Sequence, residues 1–400
     1  MKAIISKSTA SGRVTAPPSK SMAHRYLICG ALTQKSVIKG VSFSEDIKAT
    51  LNCLYNLGAD IEITNDCVTI GNLNLKKIRN NILNCNESGS TLRFLIPICL
   101  LTNEEITLTG TERLFSRSLS VYEEICKAQG IVFKTGKDAV TLKGRLQSGR
   151  YAVRGDVSSQ FISGLMFALS LLPNDSIIDI EGAVESGSYL GLTVKALADF
   201  GVRVSRTDER TIYIKGNQSY KPRELFVEGD YSNAAFLDFF NYFGGNVMVK
   251  GLDQNSVQGD RVYKKYFEAL EKQKCSIDIS DCPDLGPILF TFAAAKIGGI
   301  FTGTKRLKIK ESARVESMKT ELSKFGVKIA SEENRVEVFG GEIKKPKETL
   351  YGFNDHRVVM SLAVLATLTG GEIEGIEAVS KSFPNFFETL NELGIEGDFK

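Results

Sequence analysis

Polar loops that empty into almost wholly apolar segments recur along this chain. The first is Pro17-Pro18-Ser19-Lys20-Ser21-Met22-Ala23-His24-Arg25, running into Tyr26–Leu32. Later copies are Asn86-Glu87-Ser88-Gly89-Ser90-Thr91-Leu92-Arg93 before Phe94–Leu101, and Asp156-Val157-Ser158-Ser159-Gln160 before Phe161–Leu172. Gly229-Asp230-Tyr231-Ser232-Asn233 opens the fourth, Cys282-Pro283-Asp284-Leu285-Gly286-Pro287 the fifth and Asn354-Asp355-His356-Arg357 the last. Most are spaced by about 70 residues, which marks an internal repeat. An apolar segment that is hydrophobic nearly all round predicts a buried helix. Ser19 or Ser21 can cap the first one, and the two prolines keep it from starting earlier.

A second, amphipathic helix is predicted after each copy: Leu51–Leu57, Val121–Ala128, Val194–Phe200, Tyr263–Lys272, Val315–Phe325 and Phe386–Leu393. Gly58, Gly130, Gly201, Gly326 and Gly394 close five of them, in the place of a left-handed helix cap; the fourth copy has no such glycine. Alternating hairpins follow four, as in Asp60–Ile63 and Cys67–Ile70 around Asn65-Asp66. The unit is strand, buried helix, strand, outer helix, hairpin. The last unit lacks its hairpin, so a circular closure is expected, with Lys2–Ser6 and Arg13–Thr15 completing it.

Units packed around pseudo-symmetry axes would hold their buried helices parallel, with N-termini converging on one face. Parallel dipoles repel, but such a face attracts anions. The loops carry Lys20, Arg25, Arg93, Gln160, His356 and Arg357, which do not help capping, and cations are unfavourable at a helix N-terminus unless an anion sits there. Further cations stand at Arg113, Arg117, Arg306, Lys308, Lys310, Arg314 and Lys381; each cluster taken alone also fits a solvated face.

Composition narrows the picture. The chain has 400 residues, long enough for two or three domains, with 42% hydrophobic and 24% charged residues. A net charge of +3 is too small for a polyanion partner such as duplex DNA, yet suits small anionic ligands. No apolar stretch has the length of a signal peptide core or a membrane span. The 8 cysteines are scattered without a Cys-x-x-Cys pair, which predicts reduced thiols and a cytoplasmic protein. With only His24 and His356, a histidine-rich metal site is excluded. No phosphate-binding loop or dinucleotide fingerprint appears.

Taken together, Ser19-Lys20-Ser21-x-x-x-Arg25, Ser88-Gly89-Ser90-Thr91-x-Arg93, Ser158-Ser159-Gln160, Lys310-Glu311-Ser312-x-Arg314, Asn354-Asp355-His356-Arg357 and Lys381-Ser382-Phe383-Pro384 resemble the 3-phosphoshikimate 1-carboxyvinyltransferase (EPSP synthase) family of enolpyruvyl transferases. The motifs come in the family's order and span nearly the whole chain. The resemblance implies an α/β (α+β) fold of two similar domains, each of three βαβαββ-type repeats around buried parallel helices. Their expected extents are 17–228, on the shikimate 3-phosphate side, and 1–16 plus 229–400, on the phosphoenolpyruvate and catalytic side.

It also implies the reaction, transfer of the enolpyruvyl group of phosphoenolpyruvate to the 5-hydroxyl of shikimate 3-phosphate in an interdomain cleft. By similarity Lys20, Ser21, Arg25, Ser158, Ser159, Gln160, Ser186, Tyr189, Asp284 and Lys310 hold shikimate 3-phosphate. Lys20, Gly89, Arg117, Gln160, Arg314, Arg357 and Lys381 hold phosphoenolpyruvate. Asp284 is the expected base at the hydroxyl, with Glu311 or Lys20 moving the proton at C3. No metal or cofactor, nucleic acid or membrane is implied, and a monomer is expected. The chain departs from the common family pattern at Glu87, Ser90, His24 and Arg306. A UDP-N-acetylglucosamine enolpyruvyl transferase carries a cysteine in the loop corresponding to Thr111–Ser118, where this chain has none. The nucleotide-linked histidine of an RNA 3′-phosphate cyclase is not apparent near the C-terminus. A nucleic-acid binder lacks support from charge.

Overall fold

A computed structural model describes residues 1–182, 186–208 and 210–399. The chain divides into two compact units, one of Pro18–Val227, the other of Met1–Pro17 with Glu228–Lys400. Each has its own apolar core. The first is built around residues such as Leu27, Phe94 and Phe167, the second around Phe236, Phe290 and Val359. A fully buried side chain of this size contributes about 1.5–3 kcal/mol.

The repeat is visible in the sheets. Among the described residues, five sheets have four strands in one common order. In one of them Ile82–Asn84 runs parallel to Ile106–Thr109, which pairs antiparallel with Ala139–Lys143, with Val132–Thr135 at the edge. The Gly89–Cys99 helix makes the crossover between the two parallel strands, and Ser120–Ala128 packs outside. Arg150–Arg154 to Thr211–Ile214, around the Ser159–Leu169 helix, repeats the pattern.

Closure within each unit uses strands from distant parts of the chain. Lys2–Ile5 pairs with Gly371–Glu374 and Gly397–Phe399, completing the last sheet as expected. Ser11–Thr15 does not join it. It lies parallel to Asn246–Lys250 and supplies the first strand of the fourth copy, because the strand just before the Tyr231–Asp238 helix, Glu224–Phe226, pairs in a different sheet. In the same way Glu224–Phe226 lies parallel to Ser36–Lys39 and supplies the first strand of the first copy. The fourth copy has no closing hairpin, and its outer helix Tyr263–Lys272 ends at an extended Gln273 instead of a glycine.

The six recurrent helices are buried, as their all-round hydrophobicity predicts. In Lys20–Ala31 every residue from Met22 to Ala31 is buried. The capping follows the loop chemistry. Ser19 accepts from the Met22 N–H, Ser88 from Thr91, Ser158 from Gln160, Asp230 from Asn233 and Asp355 from Arg357. No helix among the described residues is long and apolar enough to cross a membrane.

Candidate functional site

Close helix packing assembles the first cluster, in the Pro18–Val227 unit. A Cβ at Gly164 would lie 2.4 Å from both Arg93 O and Tyr122 Oη, so only glycine lets the Ser159–Leu169 helix approach Gly89–Cys99 this closely. That approach brings the loop ends of the two helices into contact. Arg93 Nη1 donates to Gln160 Oε1 at 3.0 Å, and Gln160 Nε2 donates to Ser90 Oγ at 3.0 Å. Arg93 also lies 5.2 Å from the Phe161 ring centroid. Arg117 comes from the loop after the short Glu112–Phe115 helix and is buried. Its Nε and Nη2 have no hydrogen-bond partner among the described residues.

Around Gly89 these groups converge. A Cβ there would be 2.8 Å from Arg93 Nη1 and 3.4 Å from both Arg117 Nη1 and Gln160 Oε1. The missing side chain leaves a helix N-terminus open to two guanidinium groups, the donor set of an oxyanion site.

Arg25 sits beside this cluster and is almost wholly buried. Its Nε donates to Thr193 Oγ1 at 2.8 Å, Nη1 to Ser21 O at 2.7 Å and Nη2 to Tyr189 O at 3.0 Å, and the guanidinium lies 5.0 Å from the Phe94 ring centroid. Burial lowers its pKa to about 10. Lys20 Nζ pairs with Asp46 Oδ2 at 2.7 Å. Ser186 is buried and precedes the Gly187–Asp199 helix in a left-handed conformation, φ +57°. Ser158 and Ser159 open their helix as expected, with Ser158 spending its hydroxyl as the cap. The structure therefore brings Arg25, Ser21 and Tyr189 into one contact set, and Gly89, Arg93, Arg117 and Gln160 into another.

The second cluster belongs to the other unit and centres on Arg314, 1% exposed at its side chain. Nη1 donates to Asp284 Oδ1 at 2.8 Å, Nη2 to Glu311 Oε2 at 2.8 Å and Nε to Asp355 Oδ2 at 2.9 Å. Lys310 Nζ donates to the same Asp284 Oδ1 at 3.0 Å. Arg357 Nη1 donates to Asn233 Oδ1 at 3.0 Å, and its Nη2 stands 3.9 Å from Asp284 Oδ2. Lys381 Nζ donates to Asn354 O at 2.6 Å. Phe353 and Asn354 both have positive φ, +51° and +52°; such backbone costs of order 1–3 kcal/mol per residue and persists where surrounding structure holds it.

Asp284 is the chemically distinctive group here. Burial pushes its pKa up, but Lys310, Arg314 and Arg357 outweigh this and hold it well below the ordinary carboxylate range. It stays ionised and so can accept a proton, with one oxygen fixed by two cations, and the same cations make it a weaker base than an ordinary carboxylate. Burial lowers the Lys310 pKa, against the opposing pull of Asp284.

Arg93, marked in the sequence as a cation at a helix opening, forms one wall at Gly89. Three residues of these clusters escape a motif-by-motif reading. Asp46 reads as an acid complementing a helix dipole, and Thr193 as a polar position on an outer helix. Asp355 reads as a cap, but it also takes Ser312 Oγ–H at 2.9 Å and the Arg314 Nε–H. Only the excess of polar atoms at buried positions could have flagged them.

The fold defines the class. Over 100% of both chains it superposes on an EPSP synthase from Acinetobacter baumannii with a TM-score of 0.79 at 22% identity. The enolpyruvyl transferase NikO from Streptomyces tendae superposes with a TM-score of 0.78 at 13% identity, over 99% of this chain and 98% of that one. This is the enolpyruvyl transferase fold. At the level of sequence, the profile of EPSP synthase (3-phosphoshikimate 1-carboxyvinyltransferase) matches residues 5–390. A 3-phosphoshikimate 1-carboxyvinyltransferase from Clostridium kluyveri is 42% identical over 97% of this chain and 96% of its own length. One from Clostridium perfringens is 39% identical over 98% of both. The chain belongs to the EPSP synthase family, and its activity is that of the shikimate pathway step the family catalyses.

Proposed function

We propose that the two clusters divide the labour of transferring the enolpyruvyl group of phosphoenolpyruvate to the 5-hydroxyl of shikimate 3-phosphate. The observation that carries this reading is Asp284, an ionised carboxylate held between Lys310, Arg314 and Arg357. Asp284 takes the proton of the 5-hydroxyl as its oxygen bonds to C2 of phosphoenolpyruvate, while C3 gains a proton and becomes a methyl group. The tetrahedral adduct then loses phosphate from C2 as C3 returns a proton. Shikimate 3-phosphate and phosphoenolpyruvate thus become 5-enolpyruvylshikimate 3-phosphate and phosphate. Glu311, on the same guanidinium as Asp284, or Lys20 carries the proton at C3.

Both substrates are multiply anionic, and the donors are arranged accordingly. Arg25, Ser21, Ser158, Ser159, Gln160, Ser186, Tyr189 and Lys310 hold shikimate 3-phosphate. Gly89, Arg117, Gln160, Arg314, Arg357 and Lys381 hold phosphoenolpyruvate, with Lys20 serving both. Support for this division comes from the buried guanidinium groups around Gly89, whose planar forks match phosphate and carboxylate. We further propose action as a monomer in a reducing cytoplasm. In its support, strands of the same chain complete the sheets, and all eight cysteines carry free thiols.

The test mixes purified protein, phosphoenolpyruvate and shikimate 3-phosphate and measures released phosphate. Release requires both substrates, and Asp284→Asn loses about a hundredfold or more in kcat, the scale of a lost general base. Equal release with UDP-N-acetylglucosamine as acceptor, or an Asp284→Asn variant of unchanged kcat, would overturn the proposal.

A further inference from the structure

Two rungs, one helical turn apart, tie the Lys20–Ala31 helix to the Glu45–Asn56 helix. Lys20 and His24 are four residues apart, as are Asp46 and Thr50, so each pair shares one helix face. Lys20 Nζ donates to Asp46 Oδ2 at 2.7 Å, and His24 Nδ1 lies 2.8 Å from Thr50 Oγ1. The second rung continues into a third helix. Thr50 Oγ1 is 2.6 Å from Thr91 Oγ1, in the first turn of Gly89–Cys99. The Thr91 hydroxyl donates to Ser88 Oγ at 2.7 Å, the oxygen that also caps this helix by accepting the Thr91 N–H. All four residues are buried.

The chain of hydrogen bonds has a consistent direction. Ser88 Oγ accepts from Thr91, so Thr91 Oγ1 receives the Thr50 hydroxyl, and Thr50 Oγ1 receives Nδ1–H of His24. His24 Nε2 is then a buried acceptor with no hydrogen-bond partner among the described residues. Leaving a polar atom in that condition costs stability that an apolar residue of similar size would not. Burial, reinforced by Lys20 and Arg25, keeps the ring neutral. The site thus tolerates the cost at Nε2 to keep the bond at Nδ1.

We propose that the chain His24–Thr50–Thr91–Ser88 is a positioning device for phosphoenolpyruvate, fixing the Ser88–Gly89 turn against the helix that carries Lys20. This inference rests on the reading of Lys20 and Gly89 as phosphoenolpyruvate contacts. None of His24, Thr50 and Thr91 touches substrate; they set the register of residues that do. Packing alone would be satisfied by valine at either threonine, which keeps the shape and removes only the hydroxyl.

Steady-state kinetics with each substrate varied decide the matter. Thr50→Val raises KM for phosphoenolpyruvate about tenfold, the effect of one lost buried hydrogen bond. Its kcat and its KM for shikimate 3-phosphate change by less than about twofold. Thr50→Ser restores the wild-type KM, and His24→Asn, whose amide can occupy the Nδ1 position, is closer to wild type than His24→Leu. Thr91→Val breaks the next link and reproduces Thr50→Val, which keeps the test open should one variant not fold. Wild-type KM in both valine variants, or equal rises for the two substrates that serine does not reverse, overturns the proposal. Lys20→Ala separates the two levels: full activity there refutes the substrate reading itself, whatever the threonine variants do.

Discussion

Replacing Gly89 by alanine adds one methyl group at the most crowded point of the first cluster. The new carbon would stand 2.8 Å from Arg93 Nη1 and 3.4 Å from Arg117 Nη1 and Gln160 Oε1. The first distance is well inside the ordinary separation of carbon and nitrogen, so Arg93 has to move by about half an ångström. It is not loose enough to do so without loss. Its Nη1 is bonded to Gln160, its Nη2 approaches Ser118 O at 3.5 Å, and its guanidinium lies against Phe161. Disturbing one charge-assisted contact to a bound phosphate costs about 1.5–3 kcal/mol. That predicts a rise of about 10- to 100-fold in KM for phosphoenolpyruvate. The contacts of Arg25 with Ser21 and Tyr189 are untouched and only Gln160 of the shikimate 3-phosphate set lies near the new methyl, so KM for shikimate 3-phosphate rises less than that for phosphoenolpyruvate. Gly89 opens a helix, and alanine there gains up to about 0.5–1 kcal/mol in backbone entropy, which offsets part of the roughly 1–3 kcal/mol of overpacking against Arg93, so the variant keeps its fold with stability lowered by no more than about 2–3 kcal/mol. Phosphate release measured against each substrate, beside a thermal melt, tests all three statements. An unchanged KM for phosphoenolpyruvate with normal folding would refute the placement of that substrate at Gly89.

Three further predictions rest on the ionisable groups. Arg314→Met leaves Asp284, Glu311 and Asp355 without their shared cation and destabilises the fold by about 3–5 kcal/mol in thermal or denaturant unfolding; an unchanged melt would contradict the role of this network. Because the Asp284 pKa is depressed, it remains ionised as pH falls through 3.8, so the acid limb of kcat/KM in Asp284→Glu and wild type reports other groups. The alkaline limb, by contrast, sets in below 10.5 as Lys310 loses its proton, with Arg25 following at about 10, and Lys310→Arg removes the first of these two groups from it, which a pH profile of kcat/KM registers as a shallower fall. For His24 the folded pKa lies well below the unfolded value of 6.5, so the unfolded chain binds the extra proton. The stability contribution is complete above pH 6.5 and is lost as pH falls below it, by up to about 1.4 kcal/mol per unit. His24→Asn flattens that slope in melts run from pH 7 to pH 5, and an identical slope in the two proteins would refute it.

What sequence could and could not reveal follows from the range of the forces involved. Helices such as Ser159–Leu169 and His356–Ala366 are legible because capping and hydrophobic periodicity act within a few residues. The pairing of Ser11–Thr15 with Asn246–Lys250 is not, since a parallel ladder between segments so far apart leaves no local signature. The expectation that Arg13–Thr15 would join the last sheet failed for that reason, while Lys2–Ile5 was recoverable because the last unit visibly lacked a strand. The same distinction governs the site. Lys20, Arg25 and Arg357 stand out as cations at helix openings. Asp46 and Thr193 contribute through tertiary contacts alone, and their own surroundings in sequence look like ordinary helix.

The partners of those cations also order their tasks. A cation already paired with a carboxylate gains little from a new anion, because the old pair must be broken first; one bonded only to neutral oxygens gains much more. Arg314 holds three carboxylates, and Lys20 holds Asp46. Arg25 bonds a hydroxyl and two carbonyl oxygens, and its lowered pKa records the cost of burying its charge without an anion. Arg117 keeps two buried nitrogens without hydrogen-bond partners among the described residues. Substrate affinity should therefore come chiefly from Arg25 and Arg117, where an incoming phosphate or carboxylate relieves a standing cost. Arg314, one of the proposed phosphoenolpyruvate contacts, adds less binding energy than these two because it is already paired, and it also holds Asp284 and Glu311 in position for proton movement. The cluster richest in charge is thus the one expected to matter most for kcat, and the poorly neutralised guanidinium groups are those expected to set KM.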